Sequence, residues 1–406
     1  MLFIEQPCMA LDDGMDPRQN PYAPGAGTPP PELAGRDEIM ERAAVALDRI
    51  RARKSARGLI LYGLRGVGKT VLLNRIRHDA EVRGILSIKL EIPEARPFGA
   101  LLVPALRSAL LRLSRGEALK DNLLKGMRAL ASFALLLKVK YQDLELGIDA
   151  DPEIGLADSG DLDNDLTDLL LTAGQAAAER ATALVLVIDE LQYVEQAPLG
   201  SLMAALHAAS QEQLPITLVA AGLPQLLEWS GRAKSYAERL LEFAPIDRLG
   251  EDAARAALVV PASKEGVAFA GDAIEEILTQ TGGYPYFLQE WGKHSWDVAR
   301  TSPITLADAR RATNQALAEL DASFFRVRLD RLTPAEKRYL RAMAELGPGP
   351  HRSGDIAEIL DRRVTTVAPT RSSLIAKGMI YSPAHGDTAF TVPLFDGFLK
   401  RLGPLT

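Results

Sequence analysis

Apolar residues along the chain fall into three successive patterns. In the first, short apolar runs recur at 58–62, 85–92, 183–188, 216–221 and 240–246, and each has the length of a buried strand. Between them the apolar period lengthens. Ile39, Ala43, Leu47 and Ile50 share one face of a helix that starts near Asp37, and 71–80, 98–113 and 169–180 read the same way. Strands alternating with helices predict an α/β fold, a parallel sheet covered by helices. Leu137, Val139 and Tyr141, then Leu144 and Leu146, alternate with polar residues and predict a hairpin inserted in this core. The acidic stretch 149–168 reads as a loop.

Beyond Leu249 the strand signal stops. Helices are expected at 252–259, 271–279, 285–299 and 306–321, a second, all-helical pattern. The third begins at Thr333: helices at 334–346, 353–360 and 366–377, then short strands at 380–382 and 389–392 around His385-Gly386-Asp387. Helix–helix–helix–hairpin is the order of a winged helix. Residues 11–32 are rich in Pro, Gly and Asp and predict an extended leader with no packed element. The expected organisation is a leader at 1–32, an α/β core at 33–248 with an insertion at about 97–168, an all-helical segment at 249–330 and a winged-helix domain at 331–406.

Composition narrows the function classes. With 47% hydrophobic and 25% charged residues in 406, the chain is an ordinary globular protein. Cys8 is the only cysteine, which excludes an internal disulfide and a cysteine-based zinc cluster. The apolar run 183–188 is far shorter than the roughly 18 residues of a membrane span. The first 16 residues hold no Lys or Arg, so they do not read as a secretion signal, and a cytoplasmic location is expected. A net charge of −6 argues against coating nucleic acid by bulk charge. Residues 333–406, however, carry ten Lys/Arg against seven Asp/Glu.

The sharpest motif is Gly63-Leu64-Arg65-Gly66-Val67-Gly68-Lys69-Thr70, which fits G-x-x-x-x-G-K-T between a strand and a helix opened by Val71. Glycines let successive amides turn toward phosphate oxygens, and the helix presents its positive end to the same anion. Lys69 is expected on the β- and γ-phosphates and Thr70 on magnesium. Asp189 and Glu190 end the 183–188 strand; the first suits magnesium and its waters, the second suits a proton acceptor for attacking water.

This pair of motifs resembles the Walker A and Walker B elements of AAA+ P-loop ATPases. Leu33-Ala34-Gly35-Arg36-Asp37 resembles the adenine-side segment of origin-recognition-like members, and the tail resembles the winged helix that often follows them. The resemblance covers 33–406 and implies Mg-dependent ATP binding and hydrolysis, with ATP or ADP bound. It implies base contacts from Leu33 and Ala34. It also implies a homo-oligomer in which Arg239 reaches a neighbour's γ-phosphate; a local pair with Glu242 is the other reading of that arginine. Gly282-Gly283-Tyr284-Pro285-Tyr286 lacks the sensor arginine of many AAA+ proteins and is closer to the glycine–proline lid motif of STAND-type signalling ATPases, which places Tyr284 and Pro285 beside the base. The strand 216–221 ends without a clear Asn or Thr, leaving Gln225 or Thr217 as the sensor. These departures fit slow turnover or a nucleotide-holding switch.

Other signals mean less. Asp161-Leu162-Asp163-Asn164-Asp165 begins like a calcium loop, but Leu166 and Thr172 stand where Gly and Glu are needed. The five histidines show no i,i+4 or similar ligand spacing and read as surface or packing residues, as Trp229, Trp291 and Trp296 read as packing. In the tail, Arg371 and Lys377 on the third helix and Arg362 and Arg363 before it are the candidate contacts to duplex DNA, mostly through phosphates. Three roles follow: a DNA-associated ATPase, a STAND-like switch whose tail binds protein, or a loader that assembles another enzyme on DNA.

Overall fold

A computed structural model describes residues 15–25, 27–94, 96–114, 121–140, 151–227 and 237–403. Its centre is a five-stranded sheet of β1 (Gly58–Tyr62), β2 (Leu86–Glu91), β3 (Leu184–Asp189), β4 (Ile216–Gly222) and β5 (Leu241–Pro245), in the order β2-β3-β4-β1-β5. All four pairings are parallel. Alternate side chains split between two cores, as a pleated strand requires. Leu59, Leu61, Val185 and Val187 face α1 (Asp37–Arg51) and α2 (Lys69–Val82). Ile60, Leu184, Leu186 and Ile188 face α3 (Phe98–Leu113), α4 (Asp121–Lys140), α5 (Leu162–Glu179) and α6 (Gln196–Gln211). Burial on both faces is why these strands read as unbroken apolar runs.

The inserted hairpin is a correction. Residues 137–140 belong to α4, where Leu130, Phe133, Ala134 and Leu137 form one buried stripe at helical spacing; residues 141–150 lie outside the described ones. The acidic loop also shortens. Asp161 caps α5 by accepting from the Asp163 amide at 2.9 Å, and buried Asp165 accepts from the amides of Ser159 and Gly160. The calcium-like spacing is thus a helix cap.

Four helices follow the sheet: α7 (Glu251–Lys264), α8 (Gly271–Thr281), α9 (Pro285–Val298) and α10 (Leu306–Glu319). The last runs through a π turn at Leu320–Phe325 into Arg326–Asp330. The leader is extended but packed, against expectation. Tyr22 is buried against Gly292 of α9 with its hydroxyl on the Leu258 carbonyl, and the Trp296 indole donates to the Asp16 carbonyl at 3.1 Å. Among the described residues, no helix is long and apolar enough to cross a membrane.

The C-terminal module holds α11 (Pro334–Leu346), α12 (Ser353–Ile359), α13 (Val364–Ala376) and α14 (Phe395–Arg401). A three-stranded antiparallel sheet, β6 (His351–Arg352), β8 (Asp387–Phe390) and β7 (Ile380–Tyr381), closes it. Its α11 starts with a reciprocal cap between Thr333 and Glu336. Glu336 is buried and also accepts from Lys377 Nζ at 2.8 Å and Ser373 Oγ at 2.7 Å. Burial opposes its ionisation, but these donors and the Thr333 amide and hydroxyl hold it at about 2. A depressed carboxyl stabilises the fold above its ordinary value and loses that contribution as pH falls. Glu336→Ala should therefore cost about 2 to 3 kcal/mol at neutral pH. In thermal unfolding the deficit against wild type should shrink as pH drops from 4.5 toward 2.

Candidate nucleotide site

The glycine-rich loop leaves β1 between β4 and β5 and enters α2. A Cβ on Gly63 would lie 2.0 Å from the Ile246 carbonyl oxygen, so only glycine fits the exit. Gly66 and Gly68 have φ of 86° and 93°, the left-handed region that lets the amides curl inward. Parts distant in sequence grip the outer side of the loop. Arg36 donates to the Val67 carbonyl at 3.2 Å, the Tyr284 hydroxyl to the Arg65 carbonyl at 2.7 Å, and the Tyr286 amide to the Gly66 carbonyl at 3.2 Å. The Arg65 amide donates to the Thr391 carbonyl in the C-terminal module at 3.1 Å.

Lys69 folds back, its ammonium donating to the carbonyls of Gly63 at 2.9 Å and Leu64 at 2.7 Å. Burial pushes its ammonium down to about 8, with Glu190 and Asp189 opposing and Arg65 adding to the fall. Thr70 Oγ1 donates to Asp189 Oδ2 at 2.7 Å. Burial raises the Asp189 carboxyl, against the Thr70 hydrogen bond. Glu91, the register partner of Asp189, stands at the same rim. Hydroxyl and carboxylate oxygens are the donor set of a hard divalent cation.

Glu190 follows in a left-handed conformation, φ 54°, which costs a non-glycine residue roughly 1 kcal/mol. Its carboxylate accepts from the Gln192 amide and lies 3.6 Å from Arg65. Gln192 in turn accepts from the Leu223 amide at 3.0 Å, tying Glu190 to the exit of β4. Arg65 also donates to the Tyr193 hydroxyl at 2.8 Å and the Gly378 carbonyl at 3.4 Å.

These groups open into a cleft of about 520 Å³, the size of a small-molecule site. Arg65, Gly66, Val67, Gly68, Lys69, Thr70 and Val71 form its floor, and Asp189 and Glu190 one wall. Leu33, Ala34 and Pro285 line it as well. Gly63 and Leu64 lie beneath, as carbonyl partners of Lys69, and buried Tyr284 holds the loop from behind. Sequence reading missed Gln192, which no motif marks, and Arg328, which the π turn delivers to the cleft over the Phe324 ring at 3.8 Å. Burial lowers the Arg328 guanidinium to about 10, as does nearby Arg65.

Other candidates sit elsewhere. Arg239 is exposed just before β5, at the end of the sheet opposite the loop; β1, which separates them, spans about 16 Å. Glu242 pairs with Arg42 at 2.7 Å rather than with Arg239. Thr217 lies at that same far end, and Gln225 is buried outside the cleft. In the C-terminal module Arg362 and Arg363 are exposed. Arg371 and Lys377 correct an expectation: Arg371 donates to Thr388 and Ser382 and to the Asp387 carbonyl, and Lys377 pairs with Glu336. Both cations brace the module's own hairpin and helices.

Comparison with known proteins agrees with this geometry. Residues 32–219 match the AAA ATPase domain family, and residues 322–399 match a domain of unknown function, DUF8462. The first match covers less than half of the chain, and the fold is that of a P-loop nucleoside triphosphatase. Among solved structures, the Walker-type ATPase of Pyrococcus abyssi is similar at 18% identity and a TM-score of 0.53, over 92% of this chain and 97% of that one. The ORC1 protein of Aeropyrum pernix in complex with DNA is 16% identical, with a TM-score of 0.48 over 92% and 94%. An uncharacterized HTH-type transcriptional regulator of Methanocaldococcus jannaschii is 25% identical over 214 residues, 51% of this chain and 52% of the relative. The match thus spans about half that relative's length.

The lowered Lys69 makes anion binding pH-dependent. Below pH 8 the free ammonium is already charged; above it, the site must take up a proton when an anion binds. Affinity for sulfate, an anion that takes up no proton in this range, should be flat up to about pH 7.5 when measured by calorimetry. Above about pH 8 it should weaken by up to about tenfold per unit. Lys69→Arg should remove that slope.

Proposed function

We propose that the chain is a Mg-dependent ATP-binding protein and slow ATPase whose nucleotide state positions a winged-helix tail that contacts duplex DNA. The observation that carries this is the Thr70–Asp189 bond beside Lys69 and Glu190 at the mouth of the glycine-rich loop. Thr70 and Asp189 would hold Mg²⁺, which supplies positive charge at the phosphate oxygens. Lys69 exchanges its two carbonyl partners for the β- and γ-phosphates, and Arg328 adds a second cation to the same wall. Leu33, Ala34 and Pro285 bound the base end of the cleft, behind which Tyr284 packs. Glu190 polarises the attacking water once it leaves Gln192 and Arg65; these restraints support slow turnover. Arg239 cannot serve its own cleft from the far end of the sheet, so as a finger it would act on a neighbouring subunit.

The contacts of Arg65 with Glu190 and with Gly378 support coupling between the phosphate end and the tail. The HTH-type relative supports DNA as the tail's partner, through the exposed Arg362 and Arg363. The commitment of Arg371 and Lys377 to internal bonds favours a second reading, a STAND-like switch whose tail binds protein.

Calorimetry on folded protein should find Mg·ATP uptake that Lys69→Ala abolishes; undiminished uptake would sink the nucleotide reading. Glu190→Gln should still bind ATP while turnover falls about 100-fold. For the tail, affinity for duplex DNA should fall with salt. Removing Arg362 and Arg363 together should reduce the slope of log K against log salt by about two. Absence of binding at low salt would leave the protein-binding switch.

A further inference from the structure

Away from the cleft floor, the lid helices gather a second set of polar groups. Glu290 and His294 stand four residues apart on α9 and so share a face. Glu319 ends α10, where the helix widens into the π turn of Leu320–Phe325. One ligand atom from each of the three lies within 4.8 Å of the others. His294 Nε2 is 3.0 Å from Glu319 Oε2 and 3.9 Å from Glu290 Oε2. The side chains of His294 and Glu290 are 9% and 5% exposed, yet His294 Nε2 and Glu290 Oε2 make no hydrogen bond.

Leaving a buried carboxylate oxygen and a buried ring nitrogen without a hydrogen bond is costly, even beside an opposite charge, so such atoms normally meet a partner. A single bound ion would satisfy both. Ligand atoms about 2.1 Å from a tetrahedral zinc stand about 3.4 Å apart, between the 3.0 and 3.9 Å that separate His294 Nε2 from the two carboxylates. One imidazole with two carboxylates is a donor set for zinc rather than for magnesium or calcium, which take oxygen alone. Lys293 Nζ, 3.2 Å from Glu319 Oε2, competes for that carboxylate but is itself partly exposed and can turn to water.

We propose that Glu290, His294 and Glu319 form a zinc site that fastens α9 to the end of α10. Water fills the fourth position on the open Glu319 side. The site lies behind the nucleotide cleft: Tyr286 stacks on Phe324 at 4.8 Å, and both line that cleft. Zinc therefore fixes one of its walls without touching its floor. The inference stands whether or not the cleft holds ATP.

The test uses metal-stripped full-length protein without nucleotide, which would itself chelate zinc. Zn²⁺ is titrated against a chromophoric chelator in excess Mg²⁺. One equivalent should bind, and Glu319→Gln and His294→Gln should each weaken it by more than about tenfold. Glu319 is exposed, so its variant should fold even if the His294 variant does not. Zinc should raise the unfolding midpoint of wild type but not of Glu319→Gln. No uptake, or uptake that Glu319→Gln leaves unchanged, overturns the site. A midpoint that zinc leaves unchanged in wild type also overturns it.

Discussion

A loop that turns its amides inward to face an anion must turn its carbonyls outward, and outward carbonyls need partners. That constraint organises this chain. The carbonyls of Gly63 and Leu64 take the Lys69 ammonium, that of Arg65 takes Tyr284, that of Gly66 takes the Tyr286 amide, and that of Val67 takes Arg36. The Arg65 amide, which points the other way, finds Thr391. The segment before α1, the lid helices and the C-terminal module are therefore all bonded to one short loop. Any change in the loop's backbone is felt by three parts of the molecule that are far apart in sequence.

The acid side of the site carries the opposite burden. Asp189 and Glu190 end a fully buried strand, and Glu190 sits in a strained left-handed conformation. Its position is fixed by Gln192, which is pinned to the exit of β4, and by the charge of Arg65. Strain held by neighbours in this way is a reservoir that a ligand can draw on.

The parts of the fold most legible in the sequence were those dictated by burial on both faces. Five apolar runs became five strands, and the glycine pattern located the loop, because Gly63 has no room for a side chain. What misled was periodicity over short windows. Leu137 and Val139 alternate like a strand, but Leu130, Phe133 and Ala134 upstream make the same leucine part of a helical stripe. α6 went unread because Leu199, Leu202, Met203 and Leu206 lie among small residues that sharpen no polar face. Side-chain partners were the least legible. Residue type marked Arg371 and Lys377 as free cations, whereas tertiary packing brings Thr388, Ser382 and Glu336 to them. Likewise a search for ligand spacing in which histidines pair with histidines passes over Glu290 and His294.

Arg65 joins the loop, the acid wall and the C-terminal module. Its guanidinium reaches Glu190, Tyr193 and the Gly378 carbonyl, while its backbone joins the loop to Thr391. A cation has a limited number of good positions, and an incoming phosphate would be a stronger partner than a neutral carbonyl at 3.4 Å. Drawing Arg65 toward such an anion would loosen its hold on Gly378 and on Glu190 at once. The free energy for the proposed movement of the tail would then come from a difference in binding between two arrangements of one side chain, which is the form any ligand-driven change must take. The size of the switch is bounded by what that exchange supplies, about 1 to 3 kcal/mol. The tail is also seated on the lid by Phe325 against Phe395 and Phe398 and by Arg401 on Asp321 at 2.6 Å, so an exchange of this size acts on its contact with the loop rather than on that seat.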